Sequence, residues 1–131
     1  MPDRVLIVED EEAIRKLLRD YLLARGFAVD CVGELDEARR LLRANAYAVV
    51  VSDVCLSGGP RVREGLVLVE ELRRQPERPG VILLTALELF REELPAAAQP
   101  DLVLRKPLRL ATVADHVERL AAAASSSIPC A

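Results

Sequence analysis

A doubly wound α/β domain on five parallel strands is the fold class that this sequence predicts, and three observations carry the prediction. Five short apolar runs rich in Val, Leu and Ile recur along the 131 residues. Each is followed by a stretch whose apolar residues repeat at helical spacing. Polar residues gather where the runs end. Unbroken apolar runs are what strands buried on both faces look like, and parallel sheets are covered by helices on both sides.

"RVLIV" (4–8) is the first such run, and Ile14, Leu17, Leu18, Tyr21 and Leu22 then mark a helix, with Gly26 where a C-cap belongs. "FAVDCV" (27–32) predicts a second strand. Leu35, Ala38, Leu41 and Leu42 give the next helix, with Glu34, Asp36 and Glu37 favourably placed at its start. "AVVV" (48–51) is a third strand, and helical spacing resumes from Gly65 through Leu66, Val69 and Leu72 until Pro76 and Pro79 stop it. "GVILL" (80–84) is the fourth strand, followed by a short helix over Leu87–Leu94 that Pro95 ends. "DLVL" (101–104) is the fifth strand, and Leu110, Val113, Val117, Leu120 and Ala124 give a closing helix. Right-handed crossovers turn five alternating strands and helices into a three-layer sandwich.

Composition narrows the function. Half of the residues are hydrophobic and 30% are charged, which suits one compact domain. A net charge of -3 argues against non-specific nucleic-acid binding, and 3% aromatics with no Trp offer no stacking platform for a single strand. The arginine clusters Arg39, Arg40, Arg43 and Arg73, Arg74, Arg78 are interleaved with acids and predict solvated helix faces. Cys31, Cys55 and Cys130 form no CxxC, and His116 has no partner pattern, so a reducing, cytoplasmic setting is expected. No apolar run approaches a membrane span, so no membrane partner is expected either.

In open α/β sheets ligands bind beyond the carboxyl ends of the strands. Glu9 and Asp10 follow the first strand, Asp53 the third, Thr85 the fourth, and Arg105 and Lys106 the fifth. Two unit charges about 4 Å apart repel by roughly 4 kcal/mol at an effective dielectric near 20. A divalent cation removes that penalty, and all-oxygen ligands select a hard ion such as Mg²⁺. An ammonium and a hydroxyl opposite the metal suit the remaining oxygens of a phosphoryl group, which leaves Asp53 as a plain ligand or as a nucleophile. Lysine at 106 is itself informative: only Lys16 and Lys106 of the 18 basic residues are lysine. Its compact charge differs in kind from the arginine fork.

At these residues the chain resembles the receiver domain of bacterial two-component response regulators. The matching segments are "VLIVEDEEAIR", "VVVSDVCL", "VILLTA" and "LVLRKP", over roughly residues 4–122. The resemblance implies a flavodoxin-like sandwich of strand order 2-1-3-4-5. It also implies a receiver domain over 1–124 with a short tail at 125–131, phosphorylated on Asp53 by a histidine kinase or histidine phosphotransfer protein. Glu9, Asp10 and Asp53 would hold Mg²⁺ with the backbone carbonyl of Cys55, and Thr85 and Lys106 would meet the phosphoryl group. The implied output is a switch in contacts with a downstream protein, without direct nucleic-acid contact, and the implied catalysis is limited to its own phosphoryl transfer and dephosphorylation. Two rivals stand beside this: a degenerate receiver serving only as a binding module, which the complete residue set opposes, and an aspartate-nucleophile phosphatase, which needs an acid where Cys55 stands. Three departures from the family pattern are a long "SGGPRVREG" loop (57–65), Val103 in place of an aromatic, and the proline-bounded "PAAAQP".

Overall fold

The computed structural model describes residues 3–54, 64–76, 78–86 and 91–126. Strand β1 (Arg4–Val8) leads into helix α1 (Glu12–Ala24), then β2 (Ala28–Val32), α2 (Leu35–Ala44) and β3 (Val49–Asp53). Helix α3 (Glu64–Arg73), β4 (Gly80–Thr85), β5 (Leu102–Arg105) and α4 (Leu110–Ser126) complete the order. All five strands pair in parallel in the order β2-β1-β3-β4-β5, as the resemblance implies.

The strands alternate strictly between two cores. Leu6, Val8, Val50, Leu83 and Val81 face α2 and α3, where Leu35, Ala38, Leu68, Val69 and Leu72 meet them. Val5, Ile7, Val49, Val51, Ile82 and Leu84 face α1 and α4, against Leu18, Leu22, Val113 and Val117. Beyond their first residues, Arg4 and Gly80, β1 and β4 are buried like all of β3, because each face has its own helical cover. Gly26 closes α1 with φ of +94°, its N–H bonded to the Leu23 carbonyl, which is the C-cap geometry that glycine tolerates best.

The expected helix over Leu87–Leu94 differs from what its described part shows. Residues 87–90 lie outside the described residues, and 91–98 hold two 3₁₀ turns, Arg91–Glu93 and Ala96–Ala98. Pro95 and Pro100 offer no N–H to a helical ladder, so nothing propagates between or beyond these turns. The segment is nevertheless anchored: Leu94 and Ala98 are buried in the α3 core. Arg73 donates to the Gln99 carbonyl at 2.7 Å and to Asp101 at 3.1 Å. The Asp101 carboxylate also accepts the Val81 N–H at 2.8 Å, tying α3 to the start of β4. The long 57–65 loop lies outside the described residues up to residue 63, as do residues 127–131.

Candidate functional site

Register alone brings the site together. In the β1–β3 pairing Val8 stands opposite Ser52, so the next residues, Glu9 and Asp53, fall side by side. The ladder continues that far on the other flank, since the Glu9 N–H donates to the Val32 carbonyl at 3.0 Å. Glu9 and Asp53 share the parity of Val5, Ile7, Val49 and Val51, which sets both on the α1/α4 side. In the β3–β4 pairing Asp53 stands opposite Leu84, and Thr85 closes β4 one residue later. Thr85 pairs with Arg105 on β5, and the Lys106 N–H donates to the Thr85 carbonyl at 2.7 Å. The Lys106–Pro107 peptide is cis.

Lys106 is the hub. Its Nζ lies 2.9 Å from Asp53 Oδ2 and 3.1 Å from Glu9 Oε1, donating to both. Glu9 is 0% exposed and Asp53 7%, so these pairs are substantially withdrawn from water. Glu9 Oε1 also accepts the Glu11 N–H at 3.3 Å, while Glu9 Oε2 is buried with no hydrogen-bond partner among the described residues. Burial, followed by the charge of Asp53, pushes the Glu9 carboxyl up from 4.5 to about 7 against the opposing pull of Lys106. Burial works against the Lys106 ammonium, but its hydrogen bonds to Asp53 and Glu9 outweigh it and hold the pKa above the ordinary value.

Glu9, Asp10 and Asp53 offer three carboxylate oxygens within 4.8 Å of one another. An all-oxygen set with one buried oxygen lacking any partner fits a hard divalent cation, which would give Glu9 Oε2 the positive neighbour that it lacks. Asp10 is the exposed member of the three. The structure therefore brings Glu9, Asp53 and Lys106 into direct contact and sets Asp10 and Thr85 at the same sheet end. Thr85 is 2% exposed. Cys55 lies outside the described residues.

Sequence reasoning passed over Gly65. A Cβ at that position would lie 2.1 Å from the Asp53 carbonyl oxygen and 2.8 Å from Val54 Cα. The Gly65 N–H donates to the Val54 carbonyl at 2.9 Å, so α3 begins directly on the backbone that carries Asp53. Arg15 was passed over too: from α1 it donates to the Glu9 carbonyl at 2.9 Å. A glycine at a helix start and an arginine on a helix surface give no signal of such contacts in the sequence.

The family model of the response regulator receiver domain matches residues 5–118. Protein PetR of Rhodobacter capsulatus is 37% identical over 107 residues, covering 81% of this chain and 43% of that protein. The transcriptional regulatory protein TctD of Salmonella typhimurium is 37% identical over 83 residues, covering 63% of this chain and 35% of that protein. The chain thus spans less than half the length of either relative. Among solved structures, the response regulator protein TrrA of Thermotoga maritima, in complex with Mg(2+)-BeF, is 29% identical with a TM-score of 0.77, over 90% of this chain and 98% of that one. No helix among the described residues is long and apolar enough to cross a membrane.

Proposed function

Because the chain belongs to the response regulator receiver domain family, we propose that it is a phosphorelay switch whose Asp53 accepts a phosphoryl group from a histidine kinase or a histidine phosphotransfer protein. The observation that carries this is the paired contact of the Lys106 ammonium with Asp53 and Glu9, beside a partnerless carboxylate oxygen. Asp53 Oδ attacks phosphorus, the P–O bond forms as the P–N bond to the donor imidazole breaks, and the imidazole leaves with a proton.

Each residue then has a defined task. Glu9, Asp10 and Asp53, with the Cys55 carbonyl, would hold Mg²⁺, which when bound neutralises charge on the transferring phosphoryl oxygens. Lys106 holds the Asp53 carboxylate in place through its hydrogen bond, and stays within reach of a phosphoryl oxygen once one is attached. The Thr85 hydroxyl, at the end of the neighbouring strand, serves a further oxygen. Hydrolysis of the aspartyl phosphate by water at the same site returns the switch to its resting form. TrrA, 29% identical, is described in complex with Mg(2+)-BeF, which supports a role for Mg²⁺ in this reading.

The reading carries a cytoplasmic location and a downstream protein partner with it. The likeness to TctD, a named transcriptional regulator, gives no support to the expectation that output avoids nucleic acid. With Mg²⁺ and a small phosphodonor such as acetyl phosphate, intact-mass spectrometry is expected to show one added phosphoryl group on the wild type and none on Asp53→Asn. Equal incorporation by both proteins removes Asp53 from the role, and none by either supports the degenerate binding module instead.

A further inference from the structure

The two arginine clusters, 30 residues apart in sequence at their nearest members Arg43 and Arg73, meet in space. Helices α2 and α3 pack on the same face of the sheet, and between them runs a cleft of about 520 Å³. A second of about 290 Å³ continues it toward Arg78 and Pro79, sharing Leu42, Arg43 and Gln75 with the first. The floor is apolar, made by the half-buried Leu42 and by Leu68 and Leu72 of the core.

The charges along this groove are unevenly satisfied. Asp36 and Glu71, the two acids lining it, both accept from Arg39. Arg74 is taken by Glu70, and Arg73 by Asp101. That leaves Arg40, Arg43 and Arg78, exposed and with no ion pair or hydrogen bond among the described residues. A strip of unpaired positive charge thus lies over a leucine floor, on a chain whose net charge is -3. The sign of the groove opposes that of the molecule.

We propose that the α2/α3 groove docks an acidic segment of a partner protein, its carboxylates meeting Arg40, Arg43 and Arg78 and one apolar side chain seated on Leu42. Arg40 lines the first cleft, Arg78 the second and Arg43 both, so the three span two adjoining clefts, which suits a chain better than a compact anion. Helix α2 has ten residues, so the seam is roughly 15 Å long at 1.5 Å per residue. An extended segment of about five residues at roughly 3.3 Å each covers it. The two acids in the groove and the scarcity of aromatics disfavour nucleic acid. Fixed charges of one sign over an apolar centre set partner choice and encounter rate. The surface lies on one face of the sheet, apart from the strand ends that carry Asp53, and does not depend on phosphoryl chemistry.

Fluorescence anisotropy with the full chain tests this, using a labelled peptide of about eight alternating Glu and Leu residues and a Lys/Leu control of equal length. The acidic peptide is expected to bind saturably below about 1 mM and the basic one not to bind. The triple variant Arg40→Gln, Arg43→Gln, Arg78→Gln should weaken the acidic peptide roughly tenfold or more, and Leu42→Gln should weaken it too. Amide shifts should fall on residues 36–46 and 68–79. No saturable binding, unchanged affinity in the triple variant, shifts on another face, or displacement by equimolar pyrophosphate or duplex DNA each overturns the proposal. Phosphoryl incorporation by the triple variant, read by mass, is expected to match the wild type, so a failed groove leaves the receiver reading standing.

Discussion

Replacing Glu9 by Gln removes one buried charge and keeps the side chain's shape. The Gln carbonyl can still accept from Lys106 Nζ and the Glu11 N–H, as Glu9 Oε1 does. In the folded protein the Glu9 carboxyl lies at about 7, against 4.5 for the free group. A carboxyl with a raised folded-state pKa contributes stability that is fully present below its unfolded value and is lost as pH rises through the folded one. The window here is pH 4.5 to about 7. At about 1.4 kcal/mol per unit, the loss across it is at most about 3 kcal/mol. Gln does not titrate. In metal-free protein the variant's stability, relative to wild type, should therefore climb by about 3 kcal/mol between pH 4.5 and pH 8, which for a domain of this size is on the order of 10 °C in Tm. Urea unfolding with a chelator present, repeated across that range, measures the difference directly. A difference that is flat with pH, or one that favours the wild type more as pH rises, refutes the account of Glu9 as a buried, self-repelling carboxylate.

The other predictions follow from neighbouring contacts. Asp10→Asn should barely move the metal-free Tm, because Asp10 is exposed, yet should abolish the upward shift that Mg²⁺ gives the wild type in a thermal scan. Lys106→Met should push the Glu9 carboxyl higher still, so the variant should lose more stability than wild type between pH 5 and pH 8 in urea titrations. Lys106→Arg should fold normally and lose most of the amide shift change that Mg²⁺ with beryllium fluoride induces, since a planar fork cannot reproduce the contacts at 2.9 and 3.1 Å. Gly65→Ala forces a Cβ to within 2.1 Å of the Asp53 carbonyl, so it should cost about 2 kcal/mol or more by denaturant titration and slow phosphoryl incorporation as well.

Strand positions were legible because burial on both faces leaves only apolar residues to choose from, and runs such as Val49–Val51 have no helical alternative at that length. The site was legible for a related reason. Asp53 and Lys106 end such runs, and parallel strands bring their ends to one edge. What the sequence hid is tertiary. Nothing in "EDEEAIR" (9–15) says that Glu9 is wholly buried while its neighbour Asp10 is exposed; the continuation of the β1–β2 ladder through the Glu9 N–H decides it. Gly65 reads as an ordinary residue at a helix start until the strand beneath it is known. The arginine clusters read as two solvated faces, because their acids are interleaved along the chain. Only the packing of α2 beside α3 shows that Arg39 consumes two of those acids and leaves Arg40 and Arg43 without partners among the described residues. The predicted fourth helix failed at its described end because the prolines flanking Ala96–Ala98 weigh more than the apolar spacing before them.

An open sheet has two rims, and here they are β2 and β5, each paired on one side only. A rim with unused N–H and C=O groups is a template on which a stray chain can grow a further strand. Both rims carry obstacles to that. The middle residue of β2 is Asp30, whose carboxylate is held by Arg4 at 3.0 Å and by the Tyr47 hydroxyl at 2.7 Å. An incoming strand would have to cover that ion. Strand β5 is four residues long, ends on the exposed Arg105, and is followed within two residues by Pro107, which has no N–H to give. Sheet growth by fibrous polymerisation is therefore disfavoured at both sides, which leaves the ends of the strands as the place where this sheet meets other molecules.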